Sequence, residues 1–146
     1  MQLKTILNTV EKYKSFVYSD ARWSKGKTGS EIEFVVQPRK NSKPICSGCG
    51  KRRPGYDRLA ARRFEYVPLW AIPVFLVYAL RRVQCRQCGV VVERVPWASG
   101  KNQQTNSYRM FLATWAKRMS WQEVATVFGT SWDSVFRAVR WVVEWG

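Results

Sequence analysis

The chain contains no histidine and only 10 acidic residues among its 146. Without an imidazole, every mechanism built on a histidine base or relay is excluded. The shortage of carboxylates against 25 Lys and Arg leaves a formal charge of +15. A surplus that large predicts a polyanionic partner, with nucleic acid the first class to consider and a merely soluble basic surface the plain alternative. No apolar run approaches the ~18 residues of a membrane span. The most apolar stretch, residues 64–80, is interrupted by Pro68 and Pro73 and reads as two buried strands. The basic residues do not gather on one amphipathic helix, which argues against a membrane-surface role. The opening residues carry no signal-peptide core, so a cytoplasmic, nucleoid-associated location is expected.

Cysteine is also scarce, and its placement is informative. All four cysteines lie in two knuckles, Cys46-Ser-Gly-Cys49-Gly50 and Cys85-Arg-Gln-Cys88-Gly89. Two thiolates separated by two residues grip one ion from a tight turn, and the following Gly lets the backbone curl so that amides point at the sulfurs. A pair of such turns completes a tetrahedral four-thiolate shell, which predicts one structural Zn²⁺ held by Cys46, Cys49, Cys85 and Cys88. The 35 residues between the knuckles suit a zinc ribbon with an inserted hairpin. A redox pair would need a βαβ context, and a disulfide framework an oxidising compartment. With zinc and four thiolates bound, the net charge falls to about +13.

Leu3, Ile6, Leu7 and Val10 recur at helical spacing, predicting a helix over residues 2–13. Strands are expected at 15–23 and 31–37, joined by a hairpin loop at 24–30. That loop lacks the spacing of a phosphate-binding loop, and no helix follows it. Further strands are expected near 62–70, 74–85 and 90–95. Lys51, Arg52, Arg53, Arg62 and Arg63, interleaved with Tyr56, Phe64 and Tyr66, are candidates for contact with backbone phosphates. Residues 96–105, polar and carrying Pro and Gly, read as a linker.

Beyond it the pattern turns helical. A helix over 106–117 carries Tyr108, Phe111, Leu112, Trp115 and Met119 on one face. A second opens at Ser120-Trp-Gln-Glu123, a capping box, has Val124, Val127 and Phe128 as apolar positions, and ends at Gly129. A third follows Thr130-Ser131, with Trp132, Val135, Phe136, Val139 and Val143 inward. Ala125, Gly129 and Val135 match the spacing of a helix-turn-helix. On the outer face of the third helix, Arg137 and Arg140 are candidates for base contact, with Asp133 beside them. Ser131 and Ser134 suit contacts near the helix start. The fold class expected is α+β: a short helix, a small β-rich zinc ribbon over 1–98, and a three-helix helix-turn-helix unit over 99–146.

The order of these features resembles the N-terminal part of insertion-sequence transposases of the ISL-three group. The residues that carry the likeness are the two knuckles, Tyr56-Asp57-Arg58, Arg81-Arg82-Val83-Gln84, Val95-Pro96-Trp97 and Met119-Ser120-Trp121-Gln122-Glu123-Val124-Ala125. The resemblance covers the chain from about residue 14 onward. It implies recognition of a transposon's terminal inverted repeats as duplex DNA, with both the zinc-binding head and the helix-turn-helix taking part. In that family a catalytic domain with a DDE carboxylate triad follows, so this chain is expected to bind without cutting. Trp141, Val142 and Trp145 are expected to pack on such a domain, on a second copy, or on the N-terminal helix. The alternatives are a stand-alone repressor, a zinc-ribbon protein-interaction module, and RNA binding, for which no recognisable motif is present.

Overall fold

The computed structural model describes residues 2–27 and 29–145. It is an α+β fold with a mixed five-stranded sheet and four helices. The first helix, α1 (Leu3–Val10), stops three residues short of the expectation. Glu11 leaves helical geometry because its neighbours capture it: Tyr13 and Ser107 donate to its carboxylate and Tyr18 to its carbonyl.

Two hairpins build the sheet. Strands β1 (Phe16–Gly26) and β2 (Gly29–Pro38) pair antiparallel out to Gly26–Gly29, so the loop is tighter than expected; Thr28 within it lies outside the described residues. Strands β3 (Gly55–Leu69) and β4 (Ile72–Cys85) form the second, longer hairpin. The strand β3 begins seven residues before the expected start because it is an outer strand, where charged side chains remain solvated; Asp57 and Arg58 pair with Arg82 and Arg81 across it. Along its other edge β4 meets β2 in parallel through Val74–Val77 and then β5 (Gly89–Val92) through Arg82–Cys85. The last strand is shorter than expected because Glu93 turns inward, where its side chain is fully buried.

The expected linker is the largest departure. Trp97 lies at the centre of the core at 1% exposure, with the rings of Phe16, Tyr78, Tyr13 and Phe64 at 4.9, 5.2, 5.5 and 5.9 Å. Val95 and Ala98 are buried with it. The segment then hydrogen-bonds to the sheet: the Glu65 amide donates to Gln103, and the Thr105 amide donates back to the Glu65 carbonyl. The Thr105 hydroxyl donates to that same carbonyl and accepts from the Tyr108 amide, capping the next helix.

Three helices follow: α2 (Asn106–Ala116), α3 (Trp121–Val127) and α4 (Trp132–Trp145). They share a second apolar cluster of Tyr108, Leu112, Val124, Ala125, Val135 and Ala138. The capping box at Ser120 and Glu123 is formed on both sides, and Gly129 turns the chain at φ +66. On α4 the buried stripe is narrower than expected. Trp132, Phe136 and Val143 remain 45%, 37% and 79% exposed, and Val127 of α3 is exposed too. A seven-residue α3 is too short to cover the bulky flank of α4, so Trp132 and Phe136 stack on each other beside Trp121.

At the tip of the long hairpin, Trp70 and Ala71 form a two-residue turn with φ of +49 and +61. Both central positions of such a turn favour Asn-Gly, since a Cβ there crowds the following carbonyl at a cost of about 1 kcal/mol per residue. Ala71→Gly is therefore expected to stabilise the fold by about 1 kcal/mol, a rise of roughly 2–4 °C in melting temperature by calorimetry.

Candidate metal centre and nucleic-acid interface

The two knuckles come together because β4 carries one at its end and β5 folds back beside the other. Cys85 pairs with Gly89 across the β4–β5 turn, and Cys46 bridges to Glu93 just after β5. Within the first knuckle the Cys46 amide donates to Lys51 and the Gly50 amide to Cys46. Gly50 and Gly89 both take positive φ, +74 and +79, as the curl after each second cysteine requires.

All four sulfurs lie within 4.8 Å of one another. The Cys49 and Cys85 sulfurs are 3.8 Å apart, too far for a disulfide and close to the edge of about 3.8 Å for a tetrahedron with 2.3 Å zinc–sulfur bonds. Cys46 and Cys85 are buried; Cys49 and Cys88 are half-buried. The cradle is tight: a Cβ on Gly48 would sit 2.6 Å from the Cys88 sulfur.

The electrostatics of the sulfurs suit a cation. Hydrogen bonding from the Lys51 backbone lowers the Cys49 thiol pKa, with Arg53 also within 3.9 Å of that sulfur. Burial opposes ionisation of Cys85, yet the backbone donors of Cys88 and Gln87 outweigh it and bring the thiol down to about 6. Cys88, beside Cys46, is pushed up to about 12. The opposite shifts of Cys85 and Cys88 reflect competition between neighbouring sulfurs for negative charge, a conflict that a divalent ion among them would remove. The residues thus fit a metal ion such as zinc.

Directly beneath the first knuckle is a cluster without a sequence signal. Glu93 accepts from the Tyr78 hydroxyl, the Arg81 amide and the Arg81 guanidinium, while Arg81 also donates to Ser42. This buried ion pair ties β4 to the segment entering the knuckle.

The basic residues singled out in the ribbon are distributed unevenly. Lys51 is exposed. Arg52 donates to the Lys43 carbonyl and the Ser15 hydroxyl, and Arg53 turns toward Cys49. Arg62 lies over the Phe64 ring and reaches the Lys101 carbonyl. Arg63 is held between Glu31 and Glu33 at 2.7 and 2.9 Å, so its charge is locally neutralised.

On α4, Asp133, Arg137 and Arg140 are exposed opposite the buried Val135 and Ala138. Arg140 pairs with Glu144 one turn on. Ser131 caps the helix, accepting from the Ser134 amide at 3.1 Å, and Ser134 offers its carbonyl to Gln104. Arg137 lines a polar cleft of about 600 Å³ with Lys101, Asn102 and Glu65; burial raises the Glu65 pKa and Arg137 pulls it back. Lys101 and Asn102 were not legible as neighbours of α4, because their position depends on the strap that continues from Trp97. Of the C-terminal trio, Trp141 and Val142 are half-buried, with Trp141 under the buried Arg109 at 5.0 Å; Trp145 stays 77% exposed.

The chain is 29% identical over 108 residues to a transposase for insertion sequence element IS1557 from Mycobacterium tuberculosis, a likeness found in two strains and covering 73% of this chain. The chain spans about a quarter of the length of these curated relatives. No family model matches, and no solved structure matches.

Gly48→Ala is expected to weaken retention of a thiophilic divalent ion by about tenfold, measured by competition with a chelating dye. Gly55→Ala, whose added Cβ meets nothing within 4 Å, is expected to leave it unchanged.

Proposed function

We propose that this chain is a sequence-specific duplex-DNA-binding unit of a transposition system, with one structural Zn²⁺, and that it recognises an element's terminal inverted repeats. The observation that carries the reading is α4: it comes after a capped helix and a Gly129 turn, and it presents Arg137 and Arg140 on the face opposite Val135 and Ala138. In this reading α3 and α4 form a helix-turn-helix, Ala125 and Val135 set the helix contact, and α4 reads bases in the major groove. Residues 99–146 do the reading and residues 1–98 orient the chain. That the relatives are transposases supports the transposition context.

The metal's part is structural. Four thiolates saturate a tetrahedral ion, which then lowers the free energy of the fold rather than activating water. Seven acidic side chains are already engaged: Glu31, Glu33, Asp57, Glu93 and Glu144 pair with arginines, Glu123 caps α3, and Glu11 accepts from Tyr13 and Ser107. That engagement supports binding, rather than strand cleavage, as the work of these residues.

Selection from a random duplex library, with and without a chelator and at two salt concentrations, tests the reading. One enriched motif is expected, with Arg137→Ala and Arg140→Ala each losing about tenfold in affinity for it and the chelator abolishing retention. Uniform, salt-dependent retention would reduce the reading to phosphate contact. Indifference to DNA at moderate salt would overturn it in favour of a protein partner.

A further inference from the structure

The Trp70–Ala71 turn combines two features that stability alone disfavours. Its backbone adopts the left-handed region at two consecutive residues that carry a Cβ, and its indole is 83% exposed, more than any other large apolar side chain described. Asn-Gly would relieve the strain and remove the exposed ring at once. Strained, exposed positions that persist are found where the strain serves a site.

The surroundings of the tip indicate what it meets. Because β2 runs parallel to β4, with Ile32 opposite Val74, the β1–β2 turn lies at the same end of the sheet as Trp70. That turn carries Lys25 and Lys27, both exposed. A cleft of about 670 Å³ separates the two tips from the α3–α4 turn: Lys25 and Lys27 line one side, Pro68 and Pro73 flank the strained hairpin, and Phe128 and Gly129 close the other side. Gly129 lies two residues before Ser131, which caps α4. The lysine-bearing tip, the base of the strained hairpin at Pro68 and Pro73, and the α3–α4 turn therefore share one cleft, which Glu31, Arg63 and Glu65 also line.

We propose that the β3–β4 tip is a second DNA-contacting element, which inserts the Trp70 indole into the duplex beside the segment that lies along α4, while Lys25 and Lys27 hold the flanking phosphates. The inference rests on the DNA-binding reading and deepens it. Apolar side chains that enter a groove unstack a base step and bend the helix axis, and a base stacked on an aromatic ring recovers part of that cost. A two-residue turn between long strands suits insertion, since its tip is narrow and its one large ring is exposed. The lysines supply the phosphate attraction that brings the ring to the duplex.

The experiment uses the whole chain and the duplex enriched by selection, with 2-aminopurine substituted in turn at each position flanking the enriched motif. Wild type is expected to raise the fluorescence at one flanking step, the signature of an unstacked base. Trp70→Ala is expected to abolish that rise and to weaken binding about tenfold, with an unchanged melting temperature because so exposed a side chain adds little packing. Trp70→Phe restores the signal, and joint Lys25→Ala and Lys27→Ala lowers the salt slope by about two. Unchanged fluorescence and affinity in Trp70→Ala, while Arg137→Ala loses the motif, would overturn this inference and leave the DNA-binding reading standing. Trp70-dependent sedimentation with vesicles of mixed phosphatidylglycerol and phosphatidylcholine, without an effect on DNA, would overturn it in favour of a lipid surface. Failure of wild type to retain any duplex would overturn both readings.

Discussion

Burial of Trp97 is the constraint on which the arrangement of the whole chain depends. Its indole fills the space between the loop after α1, β1, β3 and β4, so rings from residues 13–16 and from the β3–β4 hairpin, distant in sequence, meet on it. Edge-on aromatic contacts of this kind add to the area buried. Because Trp97 sits between the last strand and the helices, fixing it also fixes the residues that lead into α2. The Asn106 amide donates to the Trp97 carbonyl, Thr105 caps α2 while bonded to β3, and Gln104 reaches the first turn of α4. Sheet and helices are therefore held at several points by a strap whose polar composition suggests only a tether.

Charge is organised by a similar economy of contacts. The net surplus of +15 overstates what is free to meet a polyanion, because many arginines are engaged internally. Arg22, Arg63, Arg81, Arg82 and Arg140 each face a carboxylate, and Arg52, Arg58 and Arg62 donate to backbone carbonyls. The rigid fork of guanidinium suits such fixed contacts, whereas a lysine ammonium on its flexible stem stays hydrated and mobile. Lys25, Lys27, Lys51 and Lys101 are all exposed. On the proposed DNA-binding reading, phosphate attraction would thus fall more to these lysines and to Arg137 than to the arginine runs that dominate the sequence.

The elements that were legible in the sequence have local causes. The paired knuckles, the capping box, the glycine turn and the alternating strands each arise from residues close in the chain. Boundaries failed where a distant partner intervened, as at Glu11, captured by Ser107, and at Glu93, drawn inward by Arg81 and Tyr78. Val95 and Trp97 continue a buried–exposed alternation that begins at Glu93, a signal masked by the Pro, Gly and amide residues around them. The buried Arg109 over Trp141 offers no pattern at all, since an arginine on a helix is ordinarily solvated. Within the candidate site, the sulfur cluster was readable and the neighbours of Arg137 were not, because Lys101 and Asn102 arrive there only through the packing of Trp97.

That packing also bears on how a two-point contact would work. If α4 and the β3–β4 tip were joined by a flexible linker, each would approach a duplex separately, and the second contact would gain only the effective concentration the linker allowed. Here the strap bonds to β3 through Thr105 and Glu65, on the strand that leads directly to Trp70, and to α4 through Gln104 and the Ser134 carbonyl. On the proposed reading, the distance between α4 and the hairpin tip would be set before binding, which would reduce the ordering cost of engaging both. Fixed spacing would also discriminate: a duplex whose easily unstacked step lay at the wrong distance from the bases that α4 is proposed to read would satisfy one contact only by forgoing the other. Sequence-dependent deformability would then add to base readout in choosing a site, and the geometry of the strap would determine which step is tested.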